Sequence, residues 1–433
     1  MTDTRTRAPV DVAAVQRRSL GVLSGYQALA GIAIAGAVPA GALIAEGVAG
    51  SDAAAGLAQT SGVVGAALAA LPLARLTLSG GRRRALVWGV GLGALGAVVV
   101  VVASVLRSFP LVVLGCLLVG VASAAGYQAR YAAADLAEPD RRARAISVVV
   151  WASTIGAVLG PNLLEASGRL AESLGLPQLS GPYVVGAVCF ALSAALLWVL
   201  LRPDPYLLAR RRAAAAAPPA TGTAAHPRLR DGLHHVRRHP RAQLGITAVA
   251  TGHAVMVMVM VMTPVHMRHV DVRLQLIGLV ISVHVAGMYA LSPVVGWAAD
   301  RFGRRMVLAA GVVLLAVSCV VAARVPGDDV LGLGIALFLL GLGWSCTLIG
   351  GSTLLVEDVA PADRPAVQGA SDLVMNVAGA AGGIVAGIVV AACSYSVLCL
   401  VALVPVAALG VYVVVSMRRT PPVPASQDTA AQG

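Results

Sequence analysis

The chain has 433 residues, 58% of them hydrophobic and 12% charged, with a formal net charge of +12 and a mean hydropathy of +0.84. A soluble domain holds roughly a quarter of its residues as Asp, Glu, Lys and Arg, so too little polar surface remains here to face water, and an all-α integral membrane protein is expected. All 32 basic residues are arginines; without lysine there is neither a Walker A phosphate loop nor Schiff-base chemistry.

In chain order, a polar tail (1–19, with Asp3, Arg5, Arg7, Asp11, Arg17 and Arg18) precedes an apolar stretch from Leu20 that is too long for a signal-peptide core. Apolar windows bounded by Arg, Pro and Gly predict about twelve spans. In the first half they are 20–44, 53–76, 85–106, 111–134, 145–168 and 182–201. In the second half they are 242–266, 274–297, 306–324, 330–356, 366–391 and 395–416. The expected domains are two six-helix bundles, 20–201 and 242–416, a linker, 202–241, and a tail, 417–433. The linker contains RRRAAAAAPPATGTAAHP and HHVRRHPR. It is expected to be flexible and to lay arginines on anionic headgroups, and its histidines (His226, His234, His235, His239) leave a metal-buffer role open.

Placing both termini in the cytoplasm sorts the arginines 27 to five in favour of that side, as the positive-inside rule requires of an even span count. A multi-pass protein with both termini cytoplasmic is therefore expected. The absence of Lys, with abundant Ala, Gly, Val and Arg, points to a GC-rich bacterial genome and so to the bacterial plasma (inner) membrane. The basic charge belongs to membrane orientation and not to nucleic acid. Six cysteines (Cys116, Cys189, Cys319, Cys346, Cys393, Cys399) are scattered singly through apolar stretches and are expected to be small core residues.

The halves repeat. A shift of 222–223 positions lays Gly80–Gly89 (GGRRRALVWG) on Phe302–Gly311 (FGRRMVLAAG), and Ala134–Ala145 on Glu357–Gln368. Parallel duplication of this kind places a solute site near the midplane between the halves.

Intramembrane polar groups are costly and therefore candidates for function. The fourth span carries Tyr127, Gln128, Arg130 and Tyr131; the fifth reads GAVLGPNLL, with Gly156, Gly160 and Pro161 at an expected helix bend and Asn162 and Glu165 towards its outer half. In the eleventh span Gln368, Asp372 and Asn376 recur at i, i+4, i+8 and share a face. Asp372 is a candidate proton carrier, or the partner of a nearby arginine. In the seventh span His253 precedes MVMVMVM, Met256 to Met262. A step of two turns a helix by about 200°, so these methionines form two stripes. Met256 and Met260 lie on one face flanked by His253; Met258 and Met262 point roughly opposite. The eighth span adds His284 and Met288 at i, i+4. Thioether and imidazole suit Cu(I), although methionine also fills apolar cores.

The stretch GWAADRFGRR, with Gly296, Asp300, Arg301, Gly303, Arg304 and Arg305, resembles the GxxxDRxGRR cytoplasmic loop of the major facilitator superfamily, and the resemblance covers nearly the whole chain. It implies two pseudo-symmetric six-helix bundles and an inner gate at these residues, with bonds that form in one conformation and break in the other. The first-half counterpart keeps Gly80, Gly81 and Arg82–Arg84 but has Thr77 or Leu78 where an aspartate is expected, so the gate should be unsymmetrical. GAVLGP resembles the core of the antiporter motif of drug exporters. The Met and His pairs resemble the MxxxM and HxxxM pairs of the CcoA-like copper importers, which implies Met256 and Met260 (or Met258 and Met262), His284 and Met288 as ligands with His253 as a further donor. Relatives with similar motifs are associated with organic solutes such as riboflavin.

The expected function is thus a secondary carrier working by alternating access as a monomer in the lipid bilayer, with a small solute or metal ion as cargo and a proton gradient as drive. Copper uptake is the leading expectation. Proton-coupled efflux of drugs or hydrophobic solutes, using Asp372 or Glu165, and import of an organic solute are the alternatives. No cofactor is required, Cu(I) entering only as a transported substrate. No GxSxG, HExxH or carboxylate pair at a useful spacing is present, so an enzyme is not expected.

Overall fold

Inside a bilayer, backbone N–H and C=O groups must be satisfied within the protein, and an apolar run of about 20 residues does so as a helix. A computed structural model describes residues 11–50, 52–216, 234, 236–357 and 359–418. Among the described residues, 11 helices are long and apolar enough to cross a membrane by length and composition. Val12–Ala49 is the first span. It is capped by Asp11, whose carboxylate accepts from the Ala14 amide (3.1 Å), and ends on Gly50 at φ 69°. Asp52–Leu106 is one helix bent at Gly81 (φ 87°, ψ 172°) and carries the second and third spans, so twelve spans are present.

Phe109–Ala132, Arg142–Asn162 and Gly181–Leu200 are the fourth to sixth spans. Pro240–Arg268 is the seventh; Leu274–Tyr289 and Ser292–Phe302 are two limbs of the eighth. Arg304–Arg324, Val330–Glu357, Arg364–Ala392 and Tyr395–Arg418 complete the set. Proline stands in the first turn of the fourth, sixth, seventh and eleventh spans, where its missing N–H costs no helical bond.

Beside two smaller clusters in the second half, two large cores match the two bundles. One is built from residues between Val22 and Leu201; the other centres on the second half but recruits Ala143, Ile146 and Val150 of the fifth span. Valine and leucine side chains such as Leu106, Val188 and Val404 point outwards, as lipid allows. Close approaches rest on small residues: a methyl built on Gly31 would lie 3.1 Å from the Gly156 Cα, so the first and fifth spans touch backbone to backbone. The internal repeat is also visible in the backbone. Gly81 and Gly303, 222 positions apart, both adopt positive φ (87° and 95°), a conformation glycine takes without strain.

Three expectations need correction. The fifth span stops at Asn162, and Leu164–Ser173 is a separate short helix beginning after Leu163. Helicity therefore runs through Gly156 and Gly160, and the break falls after Pro161. The linker is not flexible at its start, because Pro205–Ala216 is a helix whose Tyr206 and Ala209 are buried. Cys393 is exposed, whereas the other five cysteines are buried. Of the linker histidines, His226 and His235 lie outside the described residues and His234 is exposed.

Candidate functional site

A cavity of about 730 Å³ lies between the halves. Its walls come from the first, second, fourth and sixth spans on one side and the seventh and eleventh on the other. Most of these stretches, for example 34–42 of the first span and 376–384 of the eleventh, lie in the middle of the molecule or towards its arginine-poor end, while that of the fourth span reaches down to Tyr127. The lining is largely Ala, Val and Gly. Gln59, Thr60, Ser123, Tyr127, Tyr183, His253 and Asn376 supply polar groups, and no described lining side chain carries a formal charge.

Charge lies just beneath this floor. Arg130 of the fourth span donates to Asp372 of the eleventh at 2.7 Å, with both side chains buried. The Arg130 guanidinium also lies 5.7 Å from the ring of the cavity residue Tyr127 and 4.7 Å from that of Tyr131. One turn nearer the arginine-rich end, Arg82 pairs with Asp135 at 2.8 Å and donates to the Gln368 side chain. On the cavity side, Asn376 donates to the Asp372 carbonyl at 2.7 Å and lines the cavity. The predicted face of Gln368, Asp372 and Asn376 therefore runs from a first-half arginine, through an ion pair, to the cavity.

The bonds between the halves cluster at the arginine-rich end. Asp300 accepts from the amides of Ala143 (3.2 Å) and Arg144 (2.9 Å), so a second-half carboxylate caps the first turn of the fifth span. Gly296 makes room for this: a methyl there would lie 2.8 Å from the Ala143 carbonyl oxygen. Arg304 forms ion pairs with Glu357 (2.8 Å) and Asp300 (3.4 Å) and donates to the Pro139 carbonyl. Gly303 starts the ninth span, Arg301 is exposed and Arg305 is half-buried.

On the first-half side, where the aspartate is missing, Asp204 at the foot of the linker helix accepts from the Arg83 amide at 2.8 Å. It also caps its own helix through the amides of Tyr206 and Leu207. Tyr206 then donates to the Ala362 carbonyl of the second half at 3.0 Å. Neither residue was legible as a site residue, since both stand in polar sequence just after a proline. The gap at Leu78 is the one signal that something else had to fill the position.

The predicted metal residues divide between the cavity wall and the second-half core. On the seventh span the cavity-lining side chains are His253, Val257, Val261 and Met262. Met256, Met258 and Met288 are buried in the second-half core, with Met260 packed against it. His284 is 1% exposed; its Nδ1 faces the Leu337 carbonyl of the tenth span at 2.8 Å, and its Nε2 has no hydrogen-bond partner. Among the described residues no group of three or more His, Cys, Asp or Glu could hold a metal. Glu165 lies outside the fifth span, its side chain 80% exposed and 2.7 Å from Arg169, so it lacks the burial expected of an intramembrane proton site. Asn162 is exposed and donates to the Val158 carbonyl. Trp344, which donates to His253 at 3.2 Å, is a site residue that the sequence did not reveal.

A family model described as the Major Facilitator Superfamily matches residues 23–274 and 244–433. An uncharacterized MFS-type transporter of Bacillus subtilis (strain 168), YdeG, is 39% identical over 395 residues, covering 91% of this chain and 90% of that protein. The riboflavin transporter RfnT of Brucella anthropi is 29% identical over 363 residues, covering 84% and 86%. Among solved structures, the transporter FucP in the outward conformation matches with TM-score 0.69 at 16% identity, over 93% of this chain and 99% of that one. The proton:xylose symporter XylE matches with TM-score 0.71 at 14% identity, over 94% and 96%. At these identities the structural matches establish the fold.

Proposed function

The chain belongs to the major facilitator superfamily, and we propose that it is a secondary carrier of an organic solute, with riboflavin as the working substrate, driven by protons through Arg130 and Asp372. The observation that carries this reading is the position of the cavity. It lies between the halves towards the arginine-poor end, while the inter-half bonds gather at the other end. Given the arginine bias, the sealed end is cytoplasmic, as are both termini, and the cavity faces outwards from the plasma membrane. Its size and uncharged walls suit an organic molecule better than a bare ion, and the similarity to a riboflavin transporter agrees with that class.

In this mechanism Asp372 in its charged form holds Arg130 across the floor and keeps the inner end shut. Protonation from the cavity side removes the charge–charge attraction, so that the halves rock apart at the arginine-rich end and both solute and proton leave inwards. The carrier works as a monomer. The test is riboflavin flux into proteoliposomes holding the purified chain. Uptake should follow an imposed proton gradient and fall to background in Asp372→Asn. Flux unaffected by collapsing the gradient would sink the coupling, and absence of flux would sink the substrate.

Cu(I) carriage is a second reading, favoured by His284. Its Nδ1 is engaged by a backbone carbonyl and its buried Nε2 is unpartnered, with Met288 one turn on. That is the arrangement of a ligating imidazole with its outer-shell bond already made. Cu(I) binding in detergent that disappears in His284→Ala/Met288→Leu would support it; binding unchanged in that variant would end it.

A further inference from the structure

Trp344 is 4% exposed, and its indole N–H lies 3.2 Å from Nδ1 of His253. Tyr289 of the eighth span packs edge-on against that indole, with ring centroids 5.8 Å apart at 88°, which holds the donor in place. An indole nitrogen donates and never accepts, so Nδ1 of His253 must carry a lone pair. The neutral imidazole then has its proton on Nε2. A methyl built on Gly379 would lie 2.9 Å from that Nε2, so the ring edge rests on the bare backbone of the eleventh span. His253 and Gly379 both line the cavity.

We propose that His253 is the solute-recognition residue of the central cavity, locked by Trp344 as an Nε2–H donor, and that it selects an uncharged organic molecule bearing a carbonyl oxygen or ring nitrogen as acceptor. This deepens the carrier reading and rests on it. The selectivity follows from what the walls offer. With Nδ1 engaged and Nε2 protonated, the ring has no lone pair for a soft cation. An organic cation would meet the positive end of an N–H dipole and no lining carboxylate. An organic anion would leave water for a cavity with no lining arginine. A neutral acceptor meets a fixed donor among apolar walls. Gln59, Thr60, Ser123 and Asn376 remain for its other polar atoms.

Two measurements on the full-length protein in detergent test this. Long-range proton–nitrogen NMR, with His253 assigned by difference from His253→Gln, reads the tautomer without any solute. A protonated Nε2 in the wild type and a tautomer mixture in Trp344→Phe are expected; a protonated Nδ1 in the wild type overturns the proposal. Riboflavin is then titrated and followed by its fluorescence. His253→Leu should bind roughly tenfold more weakly, Trp344→Phe should lose less, and His253→Gln, which still carries an N–H donor, should recover most of the affinity. Equal affinity in the wild type and His253→Leu overturns the proposal. If the wild type ignores riboflavin, the working substrate fails, and the tautomer measurement alone decides the state of His253.

Discussion

The loops around Gly81 and Gly303 are copies 222 positions apart, and both enter the next helix through a glycine at positive φ. In both, the arginine that follows binds a carboxylate at the end of a neighbouring span: Arg82 with Asp135, Arg304 with Glu357. They differ three residues before the glycine, where Leu78 stands in one copy and Asp300 in the other. The Asp300 copy reaches across the interface by itself and caps the fifth span. The Leu78 copy has no such carboxylate, and the linker helix fastens that side through Asp204 and Tyr206. The exposures record the consequence, since the Arg82 side chain is 0% exposed and that of Arg304 is 17%. One duplicated device thus closes the same end in two ways, one built into the loop and one supplied by the chain between the halves.

The largest effect should come from removing matched carboxylates. Asp135→Ala leaves a fully buried guanidinium without its counter-ion, which costs about 3–5 kcal/mol. Glu357→Ala, at the equivalent position, should cost about 1 kcal/mol, because Arg304 is partly solvated and keeps Asp300. Denaturant unfolding of the two variants measures the contrast, and equal losses would remove the role given to the linker helix. Next in size, Asp300→Ala should cost about 1–2 kcal/mol through the lost cap and speed hydrogen exchange at the Ala143 and Arg144 amides. Asp204→Ala should cost a similar amount on the other side, and adding Leu78→Asp to it should restore part of the loss by rebuilding the missing carboxylate. Tyr206→Phe is the mildest change, about 1 kcal/mol for one hydrogen bond. It should raise labelling of a cysteine placed at Ser371, which is buried beside Asp372 on the eleventh span, by roughly fivefold when Ser371→Cys is made in a background without other cysteines.

Much of the fold was legible because it depends on run length and period. Twelve spans follow from apolar windows, and the shared face of Gln368, Asp372 and Asn376 follows from their spacing of four. The partners of that face were not legible. Arg82 and Arg130 lie more than 240 positions away in sequence, on helices whose rotation is set by packing. The methionine run left its orientation open for the same reason: residues at helical spacing define two faces, and only neighbouring spans decide which looks inward. The neighbours turned Val257, Val261 and Met262 to the cavity and sent Met256 and Met258 into the core.

By itself the sequence determined that this protein crosses the membrane twelve times, that its halves are duplicates, and where its arginines gather. Composition and periodicity act locally, and lipid offers the backbone few alternatives to a helix. The tertiary structure alone decided which charges meet across the halves, that the linker's first turns replace a missing aspartate, and that Trp344 orients His253. Each of these joins residues 90 or more positions apart, and their energies depend on burial that exists only once the helices are packed.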